Sequence, residues 1–274
     1  VIWTAIDGAG NVAIATQTVT VLDTTPPTIS SLSDITVEAD NPTQNTVELT
    51  NPIATDNVGV ISITNDAPTA FPIGETIVTW TATDVMGNTS TTPQKIIVLD
   101  TSNPTLYVPA DLIVEATSLD QNEIYLGEVT VIDNGDILSI SNDAPQFFGI
   151  GNTTVTWIAS DASGNIVTAT QLVTVVDTIA PTIIPPENIV FEAISTNSNH
   201  VNIGTLNVTD VQQVTTTNDA LAAFPIGDTI VTWTATDASG NFATIQQIVS
   251  VVDTTSPSII ITENIISEAT GLEG

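Results

Sequence analysis

The sequence predicts an all-β fold made of tandem Greek-key β-sandwiches in an elongated array. Three observations predict it: a long internal repeat, two-residue alternation of apolar side chains, and turn residues at regular intervals. Trp3, Trp80, Trp157 and Trp233 stand 77, 77 and 76 residues apart, and so do Asp23, Asp100, Asp177 and Asp253. Glu38, Glu115, Glu192 and Glu268 keep the same spacing. A repeat of this length is one supersecondary unit copied along the chain.

The landmarks divide the chain into 1–22, the end of one repeat; 23–99, 100–176 and 177–252, three complete repeats; and 253–274, the start of another. A single deletion falls between Asp210 and Asp219. Val1 reads as the middle of a strand, so the sequence is expected to be a segment of a longer chain.

Each element follows from pattern. Ile35 and Val37 alternate with Thr36 and Glu38, and Val47 and Leu49 flank Glu48. In TIVTWTATD, Val78, Trp80 and Ala82 share one face and Thr79, Thr81 and Thr83 the other; Ile96 and Val98 point inward in the next strand. This period of two is the mark of a half-buried strand. The turns DVMGN at 84–88 and DASGN at 161–165 and 237–241 carry Gly, Asn and Asp, the residues that close tight turns. No stretch combines a 3.6-residue period with caps. Many short Thr- and Val-rich strands in about 77 residues point to a Greek-key sandwich.

FPIGETIVTWTATDVMGN at 71–88, VLDTTPPTI at 21–29 and DITVEA at 34–39 resemble the hyalin repeat (HYR) module. FFGIGNTTVTWIASDASGN and FPIGDTIVTWTATDASGN are further copies, so the resemblance covers the whole chain. It implies an immunoglobulin-like fold and a place in extracellular, cell-surface or adhesion proteins. One departure is plain: many members carry cysteine where this chain has Trp80, Trp157 and Trp233. Buried tryptophans here would replace a disulfide with packing.

Composition excludes several functions. The chain has 31 carboxylates and one basic side chain, Lys95, for a net charge of −30. Nucleic acid and anionic membrane surfaces both require lysine and arginine, so neither is a partner. No apolar run reaches the length of a membrane span. Without cysteine there is no disulfide, thiolate metal site or cysteine nucleophile. His200 sits alone in a polar stretch that the other repeats lack, and no phosphate loop precedes a helix, so no enzyme activity is expected. Sequons at Asn88, Asn152 and Asn207 suit a surface chain.

The carboxylates have two readings: a solvated acidic surface suited to salty water, and bound calcium. Tracing the strands as one continuous run from Pro27 to Glu38, then up, down, up and down, gathers acidic groups at each repeat junction. The first junction is expected to use Asp23, Asp56, Asp84 and Asn88. The next combines Glu38, Asn65, Asp66 and Asp100 with Asp133, Asp161 and Asn165. The third combines Glu115, Asn142, Asp143 and Asp177 with Asp210, Asp237 and Asn241. Crowded carboxylates repel unless a cation intervenes, and calcium takes six to eight oxygen ligands. Asp66, Asp143 and the FG-turn aspartates have the alternative of capping local turns. The resulting expectation is a structural segment of a fibre, stalk, surface layer or filament, stiffened by calcium and contacting neighbouring repeats or subunits. The alternative is an adhesin module that binds glycan or protein through surface loops, with Tyr107, Tyr125, Phe147 and Phe148 marking the place to look.

Overall fold

Threonine, valine and isoleucine crowd one another in a helix and pack well on a pleated surface. The computed structural model accordingly contains strands and no helix among the residues it describes, 1–261 and Glu268. The expected start of a further repeat at 253–274 lies, beyond residue 261 and apart from Glu268, outside the described residues. The chain separates into two compact units. One comprises Val1–Ala110, Leu126–Ala144 and Thr154–Gln171; the other comprises Asp111–Tyr125, Pro145–Thr153 and Leu172–Gly274.

In the first unit, β1 (Ile2–Ile6) and β2 (Val12–Thr16) form a hairpin of their own. The stretch that follows carries β3 (Thr28–Ile29), β4 (Ile35–Glu38), β5 (Ala54–Thr55), β6 (Val60–Asn65), β7 (Gly74–Asp84) and β8 (Thr89–Leu99). Antiparallel β3 and β5 pair in one sheet. The other sheet runs β4-β8-β7-β6, with β4 parallel to β8 and the remaining pairs antiparallel. The expected single strand from Pro27 to Glu38 is therefore two strands. The chain changes sheets between them, with Ser30 bonded back to Ile53 and partly buried Leu32 packed on the core. This crossing is what makes a sandwich from one alternating run.

The core of this repeat is Phe71, Val78, Trp80, Ile96, Val98 and Ala39. Alternation along β7 sends Val78, Trp80 and Ala82 inward, as their spacing predicts. The Trp80 indole N–H donates to the Gln94 side-chain oxygen at 3.0 Å, and the Gln94 amide donates to the Ser33 carbonyl. Both polar groups are thus satisfied inside the sandwich, as burial requires. Trp3 lies 61 % exposed on the lone hairpin, where the described residues supply no second sheet.

The remaining strands repeat this order: β9 (Thr105–Tyr107), β10 (Leu112–Glu115), β11 (Thr130–Ile132), β12 (Ile137–Asn142), β13 (Gly151–Asp161) and β14 (Ile166–Val176), then β15 (Thr182–Ile184), β16 (Ile189–Glu192), β17 (Asn207–Thr209), β18 (Thr215–Asn218), β19 (Gly227–Thr236) and β20 (Phe242–Val252). In the first unit β9 pairs β11, and β12 pairs β13. In the second unit β10 lies parallel to the end of β14, and a sheet β16-β20-β19-β18 faces the pair β15-β17 around Phe224, Val231, Trp233, Val249 and Val251.

A buried asparagine recurs opposite a buried phenylalanine: Asn45 with Phe71, Asn122 with Phe148, Asn199 with Phe224. The Asn122 oxygen accepts the N–H groups of Thr117 and Ser118, and its amide donates to the Ser118 and Phe148 carbonyls. One side chain satisfies a whole tight loop that no strand reaches.

Candidate metal centre

Three loops converge where one repeat hands over to the next. β7 ends at Asp84, the loop before β6 carries Asp56, and the incoming link carries Asp23. One carboxylate oxygen from each of Asp23, Asp56 and Asp84 lies within 4.8 Å of the others, and the same holds for Asp100, Asp133 and Asp161 and for Asp177, Asp210 and Asp237. Like charges this close repel by about 3–4 kcal/mol per pair at an effective dielectric near 20.

The three members of each group have different support. Asp84 closes the turn after β7: its oxygens accept the N–H groups of Met86 and Asn88 and the Asn88 side-chain amide. That amide also donates to the Asp23 carbonyl at 3.2 Å, so Asn88 ties the turn to the link. Asn165 does the same between Asp161 and Asp100, and Asn241 between Asp237 and Asp177. The amide nitrogens of Asn88, Asn165 and Asn241 thus face the group. Asp84, Asp161 and Asp237 are buried, which pushes their pKa up; the bonds from these asparagines, side chain and backbone, outweigh burial and hold the carboxyls below the usual range.

The link aspartates are held on one side only. Asp100 accepts the Ser102 N–H through one oxygen, as Asp23 does from Thr25 and Asp177 from Ile179. The second oxygens of Asp23, Asp100 and Asp177 are buried and find no hydrogen-bond donor among the described residues, and one oxygen each of Asp56 and Asp210 shares that state. Asp100 is 7 % exposed and Asp177 5 %. Burial pushes the Asp100 carboxyl above its usual range and the charges of Asp133 and Asp161 push the same way, against the pull of the Ser102 N–H and the Ser163 hydroxyl. A β-carbon at Gly135 would stand 2.3 Å from the free Asp100 oxygen, so a larger residue there would make that carboxylate shift. The donors are all oxygens, the chemistry of a hard cation such as calcium.

The other acidic residues are placed elsewhere. Both oxygens of Glu38 bond the next link, taking the Thr101 N–H and hydroxyl at 2.8 Å each. Glu115 holds Thr178, and Glu192 holds Thr254, in the same way. Asp66 accepts the Thr79 N–H at 2.6 Å and Asp143 that of Thr156, both halfway along the long strand. The reason is the length of β6: it ends with Asn65 opposite Trp80, and the chain then turns away to Phe71, which bridges Asn45, so Asp66 does not travel to the junction.

The HYR domain family matches residues 22–98, 99–175 and 176–251. The chain belongs to the HYR family. It is 37 % identical to hyalin of Strongylocentrotus purpuratus over 93 % of its own length, and 33 % identical to hyalin of Lytechinus variegatus over 94 %. It spans 23 % of the first hyalin and 53 % of the second. Among solved structures, the protocadherin GammaB4 extracellular domain is 12 % identical, with 91 % of this chain and 59 % of that one covered and a TM-score of 0.35. Mouse cadherin-23 EC22-24 is 14 % identical, with 83 % and 99 % covered and a TM-score of 0.33.

Acid stability of these HYR repeats follows from the depressed carboxyls. The link hydroxyls and N–H groups lower Glu38, Glu115 and Glu192, as the asparagines lower Asp84, Asp161 and Asp237. A carboxyl whose folded pKa lies below its unfolded value adds stability that is complete above the unfolded pKa, about 4, and is lost as pH falls through the folded one. The melting temperature is therefore expected to hold from pH 7 to about 5 and to drop below about 4. Thermal melts in chelator across that range test it; a flat profile down to pH 2 refutes the assignment.

Proposed function

We propose that this chain is a non-enzymatic structural segment of an extracellular or cell-surface protein, and that cations, calcium above all, order its repeat junctions. The observation that carries the reading is the threefold recurrence of an aspartate group whose link member keeps a buried carboxylate oxygen without a donor. A buried charge left unpaired is costly, and a hard cation between three carboxylates removes that cost.

In this reading Asp23, Asp56 and Asp84, Asp100, Asp133 and Asp161, and Asp177, Asp210 and Asp237 are the cation ligands. Asn88, Asn165 and Asn241 position them. Glu38 and Glu115 order the links by hydrogen bonding, and Asp66 and Asp143 fasten the ends of β6 and β12. The repeat boundaries fall at Asp23, Asp100, Asp177 and Asp253. The partners are neighbouring repeats and subunits, consistent with a hyalin-like layer or fibre. Exposure of Tyr107 at 57 % supports adhesion through the second repeat as a further role, whereas Phe148, at 2 %, is part of the core and offers no contact surface.

The test is thermal melting of the whole chain at fixed ionic strength, in millimolar calcium and then in excess chelator. Each filled site stabilises by about 2.7 kcal/mol when free calcium is 100 times its Kd. The expected result is a clear rise in melting temperature with calcium, and sodium at equal ionic strength does not reproduce it. Equal melts in calcium and chelator overturn the reading and leave the carboxylates as surface charge and turn caps.

A further inference from the structure

The two junctions within the complete repeats are built on the same plan but lined differently. Beside the Asp100 group lies a cavity of about 500 Å³ walled by Ala39, Ser102, Asn103, Ile132, Asp133 and Asn134. The corresponding cavity beside the Asp177 group, about 310 Å³, is walled by Ala116, Ile179, Ala180, Thr209, Asp210 and Val211. Position by position, serine becomes Ile179, asparagine becomes Ala180, and Asn134 becomes Val211.

The change at Asn134 removes a bond. Its side-chain amide donates to the Ala39 carbonyl at 2.6 Å, across 95 residues of sequence, and lies 3.4 Å from the Ser102 hydroxyl. Ala39 is a firm anchor: it is 2 % exposed, and its own N–H donates to the Leu99 carbonyl at 2.7 Å. Asn134 directly follows Asp133, so this one bond connects the cation loop of one repeat to the body of the repeat before it. Val211 follows Asp210 in the same way and has no polar atom to offer. Ile179 does not compensate by packing, since it remains 60 % exposed.

We infer that Asn134 is a latch that holds the Asp100 junction without help from a cation, and that the Asp177 junction, lacking the latch, takes its order from the cation group. The second half rests on the calcium reading above; the first half does not. The segment therefore contains one junction that stays set and one that responds to calcium. Asn134 is a positioning residue here, acting through the loop that carries Asp133.

The chain has no cysteine, so paired spin labels can be placed at will. Thr64, Ser141 and Thr217 are exposed and hold equivalent register positions, opposite Thr81, Ile158 and Thr234. Electron–electron distance distributions are measured on the whole chain for Thr64→Cys with Ser141→Cys, and for Ser141→Cys with Thr217→Cys. In chelator the first pair is expected to stay as narrow as in calcium, while the second broadens at least twofold. Adding Asn134→Val makes the first pair broaden in chelator and narrow again with calcium, a response that a merely misfolded loop would not show. Equal widths for the two pairs in chelator overturn the latch, as does an unchanged first pair in Asn134→Val. If calcium narrows neither pair, the calcium reading falls, and a second pair broader than the first still supports the latch. The comparison of the two unsubstituted junctions needs no variant to fold.

Discussion

Trp80→Ala is expected to unfold the 23–99 repeat at temperatures where its neighbours remain folded. Trp80 is 1 % exposed and sits among Phe71, Val78, Ile96 and Val98, so its removal leaves a large apolar cavity. Tryptophan-to-alanine changes in a core cost about 3–5 kcal/mol. A second loss follows, because the Gln94 side-chain oxygen surrenders the indole N–H at 3.0 Å and stays buried. An orphaned buried acceptor costs about 1–3 kcal/mol more. Small domains hold only about 5–15 kcal/mol in total, so the two losses take up much of the reserve of one repeat. Adding Gln94→Leu removes the orphan and is expected to recover part of the loss. Chemical denaturation of the single and double variants checks this. A cost under about 1 kcal/mol for Trp80→Ala would show that the sandwich does not depend on its tryptophan, against the cavity argument.

Much of this core was legible in the sequence, because one length repeats with a single deletion and places the same side chain at the same height each time. The tryptophan's partner was equally legible and easy to pass over: Gln17, Gln94, Gln171 and Gln247 keep the spacing of Trp3, Trp80, Trp157 and Trp233. Asn45, Asn122 and Asn199 carry the same signal at 77-residue steps. Alternation alone does not fix how far a strand runs. VISITND carries no turn residue before Asn65, yet β6 covers half of β7, because the chain then turns away to bury Phe71 against Asn45. That long-range pairing moved Asp66 away from the junction. Spacing likewise cannot tell a carboxylate that binds a cation from one that bonds a hydroxyl; Glu38 reaches the link as traced but meets Thr101 there. Asp56 and Asp84 were readable as neighbours because each stands at the end of a strand, and Asp23 because it lies in the link entering the repeat, where direction alone sets position.

Asp100→Asn is expected to reverse the effect of calcium on the junction it occupies. Without a cation, the Asp100 carboxylate is buried beside Asp133 and Asp161, and one of its oxygens has no donor among the described residues. Burial and those charges raise its pKa above the ordinary value. A carboxyl with a raised folded pKa opposes folding at neutral pH and stops doing so as pH falls through that value. The amide removes the charge, and its N–H₂ donates to the carboxylates that previously repelled it. In chelator at pH 7 the variant is therefore expected to melt higher than the parent, and the gap closes as the solution is acidified and Asp100 takes up its proton. In calcium the order inverts. The parent gains the binding energy of this site, about 2.7 kcal/mol at 100 times Kd, and the variant loses it with the third charge. The Ser102 N–H keeps its acceptor in both, since asparagine retains one oxygen at that position. Melts of parent and variant in calcium and in chelator give four temperatures that decide the matter. Crossing curves mean that Asp100 is held ready for a cation. A variant that melts lower in both solutions by the same amount means that its carboxylate serves the link turn, and the cation reading of this junction fails.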